Sequence, residues 1–195
     1  MDLGGIRQEI DRVDKQMKDL FLERMEYSSQ VVQVKKQLGG SVYVPKREQE
    51  ILCLHQQGVQ KEQVLECREF FRQMMGLSRT YQYSKLVEGK ACLLGLPDGE
   101  GEVALEFSCG KESENLALVF QAAALAGLSV AEMSASEYDG EAVNGKGESG
   151  EGKLYCRIRL AGNFAEDLAR AVILQILEET KEARLSSDEL QQGNS

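Results

Sequence analysis

The sequence predicts a two-domain chain. An all-α three-helix domain over residues 1–88 is joined by a linker at 89–101 to an α+β domain of βαββαβ order over 102–186, followed by a disordered tail at 187–195. Three observations carry that division. Apolar residues recur at helical spacing through the first 85 positions and alternate after residue 102. Residues 1–88 hold 14 basic and 13 acidic side chains, whereas residues 89–195 hold 9 and 19, so the charge balance shifts at the same place. The first 88 residues contain six glycines and one proline, while GKACLLGLPDGEGE at 89–102 reads as a connection.

The composition narrows the function classes. A chain of 195 residues with 42% hydrophobic and 28% charged side chains is ordinary globular material. No stretch approaches the roughly 20 apolar residues that a membrane span needs. The start, MDLGGIRQEIDRVD, is acidic and amphipathic without an apolar core, so a cytoplasmic protein is expected. A net charge of −9 argues against nucleic acid as a partner. The five cysteines (Cys53, Cys67, Cys92, Cys109, Cys156) are odd in number and form no CxxC pair; free thiols are expected over disulfides or a zinc site. A single histidine, His55, leaves little for metal chemistry, and the expected cofactor complement is none.

The first helix is read from Ile6, Ile10, Val13, Met17, Leu20, Arg24, Tyr27, Val31, Val34 and Leu38, which follow alternating steps of four and three and stop at Gly39-Gly40. At ~1.5 Å per residue it spans roughly 50 Å, too long to be covered by a domain of this size, so its stripe is expected to bury against a second chain. Pro45 opens a second helix over about Lys46–Gln57, which Gly58 ends. A third runs from near Gln60 to about Val87 on a period carried by Val64, Cys67, Phe70, Met74, Leu77 and Tyr81.

Arg24 stands where the stripe asks for an aliphatic side chain, and a buried guanidinium requires a counter-ion. An Arg–Glu pair across a dimer seam would satisfy it; so would a pocket for an anion. Lys35 lies 11 residues on, about 20° off the same face and roughly 16 Å along the axis, so the two cations could hold opposite ends of one small dianion. Arg7 is 17 residues from Arg24, roughly 25 Å away, and could join the same ligand only from an antiparallel second copy. Ser78 and Gln82 share a face of the third helix. Arg47-Glu48 heads the second.

Together, LGGIRQEIDRVDKQMKDLFLERMEYSSQVVQVKK, VPKREQEIL and FFRQMMGLSRTYQ resemble the all-helical chorismate mutase family over about residues 3–83. The resemblance implies an intertwined homodimer that converts chorismate to prephenate by a cofactor-free [3,3] rearrangement, in which each site uses one arginine from its partner. It implies that Arg24 and the second copy's Arg7 hold the two carboxylates, that Lys35 and Gln82 donate to the ether oxygen, and that Glu48 accepts the ring hydroxyl. Arg47 and Ser78 are implied as further substrate contacts. Many relatives carry an acid three residues before the Arg-Glu pair; here that substrate-side position is Val44. Two alternatives remain: an isochorismate pyruvate lyase using a similar pocket, or a catalytically silent, metabolite-binding regulatory dimer.

In the second half, Val103, Leu105 and Phe107 alternate as a strand, and Glu112–Ala126 forms an apolar helix closed by Gly127. Strands are expected at 129–136 and across Leu154, Cys156, Ile158 and Leu160, separated by a mobile polar hairpin loop at 139–153. Asn163 is expected to cap a helix running to about Thr180, with a short strand at 183–185. This order is the ferredoxin-like sandwich. Over about 102–186 the layout resembles an ACT domain, a regulatory module that binds amino acids where two copies meet. That implies an aromatic amino acid as effector, with Ser113, Glu114, Asn115, Ser134 and Ser136 as candidate contacts. ACT domains of prephenate dehydratases tend to carry Pro-Gly and E-S-R-P at those places, and this chain carries neither. A ligand-free dimerisation module is the alternative.

Overall fold

The structure, a computed structural model, describes residues 2–88, 95–110, 114–137, 153–180 and 182–186. The chain divides into two compact units, Met1–Lys85 and Leu86–Ser195.

The first unit is built from three helices. α1 (Leu3–Leu38) begins at Asp2, whose carboxylate accepts from the Gly5 amide at 2.8 Å, and ends where Gly39 adopts φ 75° and returns its N–H to the Lys35 carbonyl. That left-handed turn costs an L side chain about 1–2 kcal/mol, which is why glycine stands there. α2 (Pro45–His55) starts on Pro45, whose fixed φ suits the first helical turn and whose missing N–H would have gone unbonded anyway. A 3-10 turn (Lys61–Gln63) leads into α3 (Val64–Val87).

α1 presents two different faces. Ser28 and Val32 are buried, and Phe21, Arg24, Met25 and Lys35 are half-buried beside them. The residues of the expected seam are exposed, from Val13 at 41% to Leu38 at 80%. Arg24 therefore belongs to the in-chain face, and it does not interrupt the outer stripe as the spacing suggested. The two faces separate because a repeat of 3.5 drifts about 20° per heptad on a helix of 3.6 residues per turn.

The second unit is a four-stranded antiparallel sheet with two helices. Its elements are β1 (Glu100–Gly110), α4 (Glu114–Leu125), β2 (Ser129–Glu137), β3 (Lys153–Asn163), α5 (Asp167–Glu179) and β4 (Arg184–Leu185), in the sheet order β2-β3-β1-β4. On β1, Val103, Leu105, Phe107 and Cys109 join a core with Ile158 and Leu160 of β3, Val119 of α4, and Val172, Ile173 and Ile176 of α5. Several of these are wholly inaccessible, so truncating Ile158 or Ile173 to alanine would cost about 2–5 kcal/mol. Gly127 closes α4 at φ 68°, as its position predicts.

Several boundaries differ from those read in the sequence. β1 starts at Glu100 and reaches into the expected linker, because the β1–β3 ladder continues to the pair Glu100↔Asn163. Asn163 is therefore the last strand residue. Its side chain accepts from the Ala165 amide at 3.0 Å in a turn, and α5 begins after Glu166 instead. The expected loop core at 139–152, the linker residues 89–94 and the tail at 187–195 lie outside the described residues.

Cys53, Cys67, Cys109 and Cys156 are free thiols; Cys92 lies outside the described residues. Cys109 and Cys156 are both buried with sulfurs 3.4 Å apart, and burial, reinforced by the neighbouring thiol, pushes Cys156 up to about 12. A thiol held protonated in this way is a poor nucleophile, so Cys156 acts as a core residue, and Cys109 is buried beside it in the same core. Among the described helices, none is long and apolar enough to cross a membrane.

Candidate active site

The helical unit gathers charge where α1, α2 and α3 meet. From α1 come Arg24 and Lys35, from α2 Glu48, and from α3 Ser78, Arg79 and Gln82. The α3 residues converge by helical spacing: Met75, Ser78, Arg79 and Gln82 are all buried, at steps that keep them on one side of the helix.

Arg24 donates from Nη1 to the Ser78 hydroxyl. Ser78 in turn donates to the Met74 carbonyl at 3.0 Å, which fixes its rotamer. On α1 itself, the Ser28 hydroxyl donates to the Arg24 carbonyl at 3.1 Å. Lys35 donates from Nζ to the Val42 carbonyl at 2.9 Å, tying the end of α1 to the segment that leads into α2. Burial lowers the pKa of both Arg24 and Lys35 from their ordinary values, and the negative charge of Glu48 opposes the shift in each. Glu48 therefore acts electrostatically on both cations. It is ion-paired directly to Arg79, whose side chain is only 9% exposed and whose guanidinium lies 5.1 Å from the centroid of the Tyr43 ring.

Three cations and one carboxylate share this cluster, a net charge of +2. Beside them, Gln82 is buried with its Oε1 lacking a hydrogen-bond partner among the described residues. A buried acceptor left unpaired costs about 1–3 kcal/mol, so this oxygen is open to a water or a ligand donor. The arrangement is suited to a small dianion. It offers several positive donors, one carboxylate acceptor and an unpaired amide oxygen on Gln82.

Of the residues singled out in the sequence, Arg24, Lys35, Glu48, Ser78 and Gln82 are brought together. Arg47 is not: it is exposed on α2 and bonded to Glu50 at 3.2 Å. Val44 is 43% exposed and occupies the residue before α2 without a side-chain cap. Arg7 is exposed near the start of α1, remote from the cluster within this chain. Arg79 and Tyr43 were missed by the sequence reading. A signal for Arg79 existed: it stands four residues from each of Met75 and Tyr83, a charge on an otherwise buried line.

Residues 6–83 match the family model for chorismate mutase type II. The matched segment includes most of α1, all of α2, most of α3 and every residue of the cluster. No curated protein matches the chain. In the second unit, Ser134 and Ser136 are exposed on the edge strand β2, opposite Arg157 and Tyr155 of β3. Glu114 and Asn115 open α4, and Ser113 lies outside the described residues.

Proposed function

We propose that the protein is a chorismate mutase of aromatic amino-acid biosynthesis, working in the cytoplasm as a homodimer and rearranging chorismate to prephenate. The observation that carries the proposal is the +2 cluster of Arg24, Lys35, Arg79 and Glu48 beside the unpaired Gln82 oxygen, inside a segment that matches the family. The reaction breaks an ether C–O bond as a C–C bond forms, within one molecule, so the protein must hold a flexible dianion compactly and stabilise charge growing on the ether oxygen.

Arg24 grips one carboxylate with its planar fork; Ser78 holds that fork in place beforehand. Arg7 of the partner subunit takes the other carboxylate. Lys35 and Gln82 face the ether oxygen, where each donor is worth ~3–4 kcal/mol in the barrier. Turning the Gln82 amide so that its nitrogen faces the ligand breaks no bond at Oε1, which has none. Glu48 accepts the ring hydroxyl, and Val44 borders the substrate, while Arg47 faces away toward Glu50. The dimer is supported by the outer stripe of α1, where Ile6, Ile10, Val13, Met17, Leu20 and Val31 are all more than 40% exposed in the single chain.

The second unit is read as an ACT-like sensor of an aromatic amino acid. Its βαββαβ order and its β2-β3-β1-β4 sheet support that reading, with the effector beside Ser113–Asn115 and the exposed Ser134 and Ser136. Calorimetric titration of phenylalanine, tyrosine and tryptophan tests it. Binding of one should change chorismate affinity several-fold, at the usual coupling of ~1–3 kcal/mol. No heat and no melting shift at millimolar concentration would leave the unit structural.

The decisive experiment for the enzyme is to mix purified protein with chorismate and follow its absorbance and products. Prephenate is expected. Pyruvate would assign a lyase instead, and no turnover would leave a silent dimer.

A further inference from the structure

Arg79 is a buried cation that none of the roles above requires. Its side chain is 9% exposed, its Nη1 is bonded to Glu48 Oε1, and its guanidinium packs over the Tyr43 ring at 5.1 Å. Glu48 belongs to α2, Arg79 to α3, and Tyr43 to the connection before α2, so this contact ties three segments at one point. An arginine suits that task better than a lysine, since only a planar fork can pair with a carboxylate and stack on a ring together.

We infer that Arg79 is a positioning residue that holds the Glu48 carboxylate in the orientation that receives the hydroxyl of the ligand. The inference rests on the chorismate mutase reading of the cluster. Glu48 has two oxygens, and the Arg79 contact uses Oε1, leaving Oε2 for a ligand. Without Arg79, the carboxylate would be free to swing toward Arg24 or Lys35, both of which already feel its charge. It would then no longer present an oxygen to the hydroxyl. Val44, exposed and apolar, supplies no substitute acceptor, so the orientation of Glu48 alone decides whether the hydroxyl is bound.

The test is a double-mutant cycle on the full-length protein, using Arg79→Leu, Glu48→Gln and both together, with Arg79→Lys as a variant that keeps the charge. Circular dichroism and melting temperature check folding. The ring hydroxyl makes and breaks no bond in the rearrangement and is held alike in ground and transition states, so its loss raises KM and leaves kcat nearly unchanged. Arg79→Leu should raise KM about tenfold, as expected for one hydrogen bond to a charged group. Arg79→Lys should keep the fold and recover only part of that loss. In the Glu48→Gln background, Arg79→Leu should add almost nothing. A purely structural ion pair would instead move the melting temperature and leave KM alone, or give additive losses in the cycle; either result overturns the inference while the mutase reading stands.

If the wild-type protein does not turn chorismate over, the mutase reading falls, and the same cycle is read from calorimetric binding of chorismate. Coupling there would uphold Arg79, additivity would overturn it, and no binding by the wild-type protein would overturn both.

Discussion

Two inactive variants should restore each other. Arg7 stands 17 residues before Arg24, roughly 25 Å along α1, while Lys35 stands 11 residues after it, roughly 16 Å in the other direction. No side chain bridges the combined distance of roughly 40 Å to one small ligand, so a site that uses both residues must draw them from two chains. Arg7→Ala and Lys35→Ala should therefore each be nearly inactive alone. In a heterodimer, one site combines the intact Lys35 of the first chain with the intact Arg7 of the second, and the other site lacks both. Random exchange makes about half of the dimers mixed, each with one working site of two, so activity should recover to about a quarter of wild type. The assay is chorismate turnover after co-refolding equal amounts, with heterodimers counted by differently tagged chains. Heterodimers that form and stay inactive would refute the interchain geometry. Near-normal activity of Arg7→Ala alone would show that Arg7 is dispensable.

Arg24→Ala should lower kcat/KM by at least ~100-fold while the helical content persists, because the half-buried guanidinium meets charge and Ser78 instead of filling the core; near-normal turnover would remove it from the site. Lys35 has its pKa lowered by burial, so its charge, and with it kcat, should fall as pH rises toward a value below the ordinary 10.5. A pH–rate profile that loses this alkaline limb in Lys35→Arg would assign it, and a limb that persists would belong to another group. In the second unit, hydrogen bonding from Tyr155, with Arg184 and Ser186 adding to it, holds Glu106 below the usual carboxylate range against its partial burial. A lowered native value stabilises above the unfolded value of 4.5 and loses that effect as pH falls through the native one. Glu106→Gln should therefore melt lower than wild type at pH 7, with the gap closing in acid; a gap unchanged down to pH 3 would contradict the network.

The local elements of this protein were legible in its sequence because their signals are themselves local. Gly39 and Gly127 end helices through their own φ angles, Pro45 starts one through its ring, and the alternation from Val103 to Phe107 announces a strand without reference to any distant residue. The candidate site was partly legible for the same reason: Arg24 and Lys35 share a helix, so helical rise and rotation relate them, as they do Ser78 and Gln82.

What the chain could not disclose residue by residue depends on partners distant in sequence. Asn163 has a capping residue's chemistry, yet it ends β3 because Glu100, 63 positions earlier, offers it a ladder pair. The inner and outer faces of α1 differ by a few tens of degrees, too little for spacing to sort and enough for α2 and α3 to decide, so the placement of Arg24 was misread. Sequence grounds do not say whether Arg47 or Arg79 pairs with Glu48, since both are arginines on amphipathic helices; the structure pairs Arg47 with Glu50 and Arg79 with Glu48. Only packing determines which guanidinium loses its water, and a desolvated guanidinium must find its carboxylate.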